Sequence, residues 1–90
     1  MELKHDDNWI YVTDDKDNVI AEITFPNIKE GVVTINHTYV DNSLRGQGIA
    51  DKLVEAAYRT IKDQDKKTIV TCPYAVKWFE EHPDKNDIVK

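Results

Sequence analysis

Apolar and polar residues alternate along the first part of the chain, and the period lengthens once Gly46 is passed. Trp9-Ile10-Tyr11-Val12-Thr13 is rich in aromatic and β-branched residues, which suit a pleated surface. Asp14 to Asn18 is a turn cluster. Val19 to Phe25 resumes the alternation, Pro26 ends it, and Glu30-Gly31 marks the next turn. Val32 to Val40 reads as a third strand with Val33, Ile35, His37 and Tyr39 on one face. Connections this short predict an antiparallel meander. From Gln47 to about Lys62 the period is helical: Ile49, Leu53, Ala57 and Ile61 form one stripe, widened by Val54 and Tyr58. Lys66 to Thr71 is a short strand that follows a helical crossover and should therefore lie parallel to a neighbour. Pro73 opens a last helix with Ala75, Trp78 and Phe79 turned inward, and His82-Pro83 stops it. Asp84 to Lys90 reads as a frayed tail. The fold class is α+β: a mostly antiparallel sheet begun by a three-strand meander, then helix, parallel strand and helix.

Composition narrows the function. A chain of 90 residues makes a single domain, 1–90, with a modest core. Net charge is −5, with 32% charged residues. An acidic surface argues against nucleic acid, whose phosphates reward a basic face. It suits a cationic partner, and a plain solvated surface explains it equally. Cys72 is the only cysteine, so no internal disulfide forms, and no apolar run approaches a membrane span. The polar, acidic start is unlike a signal peptide. These features predict a cytoplasmic protein with no membrane partner. His and Cys residues lack metal-ligand spacing.

The chemistry concentrates in Val40-Asp41-Asn42-Ser43-Leu44-Arg45-Gly46-Gln47-Gly48-Ile49-Ala50. Two glycines between a strand and a helix let the main chain approach a ligand and turn successive N–H groups into one concavity. The helix start adds its unpaired N–H groups and the positive end of its dipole. Together they suit a phosphate or pyrophosphate. The Walker pattern is absent, and Asp51 stands where a dinucleotide fingerprint needs its third glycine. A tight turn with incidental glycines is the plain alternative.

Arg45-Gly46-Gln47-Gly48-Ile49-Ala50 resembles the Arg/Gln-x-x-Gly-x-Gly/Ala loop of GNAT-type N-acetyltransferases. The resemblance runs from Val32 to His82 and includes the closing helix Ala75 to Glu80. It implies a minimal acetyltransferase fold and acetyl-CoA as cosubstrate. Arg45, Gly46, Gln47, Gly48, Ile49 and Ala50 would hold the pyrophosphate. The pantetheine arm would enter a gap between the strand ending at Val40 and the strand at Thr68–Thr71, pairing near Tyr39 and Val40. The thioester would lie near Cys72 and Tyr74. An amine acceptor, small molecule or protein, would attack the acetyl carbonyl.

Three departures bear on activity. Turns replace the helices that ordinary members carry between their first strands, so the acceptor groove should be open or completed by a protein partner. Phe79 occupies the place of the family's acid tyrosine and cannot protonate a thiolate. Tyr74 is the substitute acid, or a half-buried aromatic whose hydroxyl reaches the surface. Cys72 lies three residues before Ala75, where the family has asparagine. A thiol at a helix start favours thiolate and would accept acetyl in a two-step route; otherwise it is a small buried apolar group. His37 is the candidate base, or a strand histidine bonded to a neighbour. Glu22 is a weaker base candidate. Three readings stand: an N-acetyltransferase, an acetyl-CoA-binding module with weak or no transfer, and an interaction domain that binds no CoA.

Overall fold

The computed structural model describes residues 2–90. Among these residues seven strands and two helices follow in the order β1 (Lys4–Asp6), β2 (Trp9–Thr13), β3 (Val19–Thr24), β4 (Asn27–Lys29), β5 (Val32–Ile35), β6 (His37–Val40), α1 (Ile49–Asp63), β7 (Lys67–Val70) and α2 (Pro73–Glu81). Short 3-10 turns cover Asn42–Leu44 and Pro83–Ile88. The α+β class holds, with antiparallel strands throughout except for the parallel β5–β7 pair that α1 connects.

The strands divide into two sheets, β1-β2-β3-β6 and β4-β5-β7. The cause is a one-residue mismatch. Thr24 pairs with His37 and Asn27 pairs with Val33, so Phe25-Pro26 stand opposite Thr34-Ile35-Asn36. An extra residue in one strand of an antiparallel pair is a β-bulge, which bends the strand and raises its twist. The Thr24 hydroxyl donates to Asn36 Oδ1 at 2.7 Å and holds the bend. The expected strand Val32–Val40 is therefore two strands in two sheets. The bulge also turns its faces over. Val33 and Ile35 are buried, whereas His37 and Tyr39 are exposed on the opposite surface. Thr38 and Val40 take the core side instead.

α1 closes the core as its apolar stripe requires. Ile49, Leu53, Val54, Ala57, Tyr58 and Ile61 are all buried, against Ile10, Val12, Ala21 and Ile23 of the sheet. From α2, Ala75, Trp78 and Phe79 join them. The core thus lies on one face of β1-β2-β3-β6. The other face carries Trp9, Tyr11, Glu22, Thr24, His37 and Tyr39, each half-buried or exposed.

Three further differences separate expectation from structure. β1 has charged residues and no alternation, and β4 lies in what reads as a turn; both are edge strands with little buried surface. The C-terminal segment is ordered. Ile88 is 3% exposed, Val89 bridges to Thr68, and Tyr58 Oη donates to Asp87 at 3.0 Å. Lys62 adds an ion pair to Asp87 at 3.0 Å. No helix among the described residues is long and apolar enough to cross a membrane.

Candidate functional site

The loop from Asp41 to Gly48 is built in two steps. Asp41 accepts the Ser43 hydroxyl at 2.6 Å and the Ser43 amide at 3.0 Å. The Ser43 hydroxyl, then its amide, hold the Asp41 carboxyl below the usual carboxylate range. Leu44, buried, anchors the turn in the core. The main chain then rises through Gly46 at φ +85° and Gly48 at φ +72°. L-residues with a side chain rarely adopt these angles. Both glycines face open space: a Cβ on either would meet no atom within 4 Å. Gly48 caps α1 without any side-chain bond. The first-turn N–H groups consequently have no partner within the helix and point out of its start.

Those N–H groups open onto a cavity of about 370 Å³, lined by Thr38, Val40, Leu44, Arg45, Gly46, Gly48, Ile49, Ala50 and Tyr74. One wall is the splay. β5 and β7 stay paired through Ile35–Val70, after which the Thr71 and Cys72 amides both donate to the Ile35 carbonyl. Beyond that point β6 has only β3 beside it. Asp41 N–H bonds to the Ile20 carbonyl across the β3–β6 pair. In an antiparallel ladder hydrogen-bonded pairs alternate, so Tyr39 bonds to β3, while Thr38 and Val40 turn their N–H and C=O groups into the gap. With the Thr38 N–H engaged by the Cys72 sulfur, Val40 and the Thr38 carbonyl remain as a strand edge of the kind that accepts an extended ligand backbone.

Cys72 is not part of the lining; it is the N-cap of α2, 7% exposed, behind Thr38. Its thiol lies 3.4 Å from the Thr38 hydroxyl. Burial pushes the thiol up. The Thr38 hydroxyl, the Ala75 and Tyr74 amides and the Thr38 amide outweigh it, so the net shift is downward and favours thiolate. Tyr74 is 44% exposed on the next helical residue but one. Burial, then the negative charges of Asp51 and Glu81, raise its hydroxyl, which keeps it protonated. Phe79 is core, 4% exposed.

The structure thus brings together Val40, Arg45, Gly46, Gly48, Ile49, Ala50 and Tyr74 of the expected residues, with Cys72 behind Thr38. It adds Leu44, from the same loop, and Thr38, which the bulge-free reading of the strand concealed. Gln47 is exposed and is not among the residues that line the cavity. His37 and Tyr39 lie on the opposite face of β6. There His37 Nε2 is 3.3 Å from Glu22 Oε2, and Trp9 Nε1–H donates to Glu22 Oε1 at 2.8 Å. Tyr39 Oη donates to Asp41 at 3.2 Å, and burial, then that bond, raise the Tyr39 hydroxyl.

A GCN5-related N-acetyl-transferase family model matches residues 9–88. The protein NATD1 of Gallus gallus is 33% identical over 63 residues, covering 70% of this chain and 57% of that protein. The NATD1 protein of Homo sapiens is likewise 33% identical over 63 residues, with 56% of its length covered. The chain thus spans little more than half of these relatives. Among solved structures, a Staphylococcus aureus protein described as GCN5-like superposes with a TM-score of 0.81 at 31% identity, covering 99% of this chain and 87% of that one. A GNAT-family N-acetyltransferase of Escherichia coli, solved with CoA, shares the fold at a TM-score of 0.60 and 24% identity over 69% of this chain and 38% of its own.

Proposed function

We propose that this chain, which belongs to the GCN5-related N-acetyltransferase family, transfers acetyl from acetyl-CoA to an amine. One observation carries the proposal. The two left-handed glycines at the start of α1 face open space and share a cavity with the unpaired main chain of β6. Residues of that kind fit the cosubstrate. The free amides at 46–51, with Arg45, suit a diphosphate. Val40 and the Thr38 carbonyl offer a strand edge to a pantetheine amide chain, in place of Tyr39. Acetyl-CoA supplies an activated thioester; the remaining steps belong to the protein.

In the direct route the acceptor nitrogen attacks the acetyl carbonyl carbon, the C–S bond breaks, and the departing sulfur takes a proton from Tyr74. His37 stands on the acceptor side of β6. With Nε2–H donated to Glu22, its Nδ1 is left to take the amine proton, a general-base role. In the two-step route the Cys72 thiolate would attack the acetyl carbon, the bond to the CoA sulfur would break with that sulfur taking a proton from Tyr74, and the amine would then attack the Cys72 thioester, releasing the Cys72 thiolate and giving its proton to His37. A single cysteine fits a reducing compartment, so the reaction belongs to the cytoplasm.

Phe79 favours a second reading. A buried phenylalanine where the family places its acid tyrosine describes a CoA-binding module with little transfer. Thiol release from acetyl-CoA, assayed with a panel of amines, separates the two. Amine-dependent release supports the transferase. Binding with no release supports the module. A gain of one acetyl group on the intact protein, lost in Cys72→Ala, supports the two-step route. Undiminished turnover in Cys72→Ser refutes it.

A further inference from the structure

The surface of β1-β2-β3-β6 turned away from α1 lies outside the cavity lining, yet it is not an ordinary solvated sheet face. Trp9 and Tyr11 stack with ring centroids 3.9 Å apart. The Glu22 carboxylate beside them is fixed by the Trp9 indole on one oxygen and His37 on the other. Strand register puts Asp6 on this same surface next to Trp9, and Asp41 stands at its end under the Tyr39 hydroxyl. The one lysine there, Lys4, is turned aside to the Thr13 hydroxyl at 2.8 Å.

The geometry points to a docking surface for a lysine- or arginine-rich peptide segment, bound in extended form with one cation against Glu22 and the Trp9–Tyr11 pair. Charge complementarity selects the occupant: three carboxylates face one lysine, on a chain of net charge −5. Aromatic faces attract ammonium and guanidinium groups. An open sheet face offers area without enclosure, which suits a chain segment, whereas small ligands take concave sites. The inference rests on the proposed transferase reading for its purpose and names the acceptor class. Strands lie about 4.8 Å apart, so Glu22 on β3 is roughly 10 Å from the gap beyond β6. That is two or three residues along an extended peptide. A cation docked at Glu22 would place a neighbouring lysine at the gap, beside His37.

The test is a nitrogen-15 NMR titration with pentalysine as probe. Pentalysine is expected to shift the Trp9 indole resonance and the amides of 37–39, saturably and more weakly as salt rises. Glu22→Gln and Trp9→Ala should each lower its affinity at least fivefold, with the Trp78 indole resonance unmoved as the check on folding. Acetyl-CoA should shift the amides of 46–51 equally in all three proteins. Equal pentalysine affinity in the variants overturns the proposal, as do shifts confined to the acidic turn at 14–18. Spermine binding at the same surface as tightly as pentalysine also overturns it, because the occupant is then a small polyamine. Pentalysine binding at Trp9 with no response to acetyl-CoA upholds this surface while the transferase reading fails.

Discussion

Replacing Gly48 with alanine tests the phosphate cradle, and Gly31 provides the control. Gly48 has φ +72° and Gly31 has φ +74°, and a Cβ on either meets no atom within 4 Å. The two substitutions therefore impose the same backbone strain and no clash in the free protein. Left-handed geometry costs an L-residue roughly 1–2 kcal/mol. For a domain of this size each kcal/mol lowers Tm by about 4–8 °C. Both variants should melt earlier by similar amounts. Only Gly48 lines the cavity, so only there does the methyl group fall where an anion would approach the main chain. Losing one hydrogen bond to a charged group costs about 1.5–3 kcal/mol, which is roughly tenfold to a hundredfold in affinity. The assay is thermal unfolding with acetyl-CoA at 100 times the wild-type Kd. Wild type and Gly31→Ala should each gain about 2.7 kcal/mol. Gly48→Ala, at the hundredfold limit, should gain only about 0.4 kcal/mol. Equal gains in all three proteins refute the cradle, whatever the strain does to the melting points.

Ile88→Ala should cost about 2–4 kcal/mol in urea unfolding, because a buried isoleucine is removed from the core and not from a frayed end. Tyr58→Phe cuts the link to Asp87 and should cost about 0.5–1.5 kcal/mol without changing acetyl-CoA affinity. Alkylation of Cys72 should reach its plateau rate at lower pH than an unfolded cysteine, since its thiolate is favoured. Thr38→Val should move that profile upward, and acetyl-CoA should slow alkylation. By linkage, a thiol depressed in the folded state adds stability that is full above its unfolded pKa and is lost as pH falls through the folded one. The stability difference between wild type and Cys72→Ala should therefore shift in favour of wild type at alkaline pH.

α1 and the glycine loop were legible in the sequence because each rests on local rules. The stripe from Ile49 to Ile61 has the helical period, and Gly46 and Gly48 stand where left-handed angles are needed. β1 and β4 were hidden for the opposite reason. Lys4-His5-Asp6 and Asn27-Ile28-Lys29 bury almost nothing, so their pairing comes from main-chain bonds that leave no hydrophobic trace. The C-terminal turn was hidden because one apolar residue, Ile88, does the anchoring amid Asp84, Lys85, Asn86 and Asp87. Its remaining ties to Tyr58, Lys62 and Thr68 are long-range.

The misread residue with the widest consequence is Asn36. Side chains alternate with period two, so one inserted residue moves every later side chain to the other face. Without the bulge, His37 and Tyr39 would continue the buried row of Val33 and Ile35, and Thr38 and Val40 would face away from the cavity. With it, β6 leaves β7, its free edge turns to the gap, and Thr38 reaches the Cys72 thiol. The same step sends His37 to Glu22 on the uncovered face. Consecutive residues of one short strand thus face the cavity and the uncovered sheet surface in turn. With no helix between β1 and β6 among the described residues, the pleat of β6 alone separates these two surfaces. Deleting Asn36 should therefore disturb both faces together, whereas a substitution at Thr38 or at His37 should disturb one.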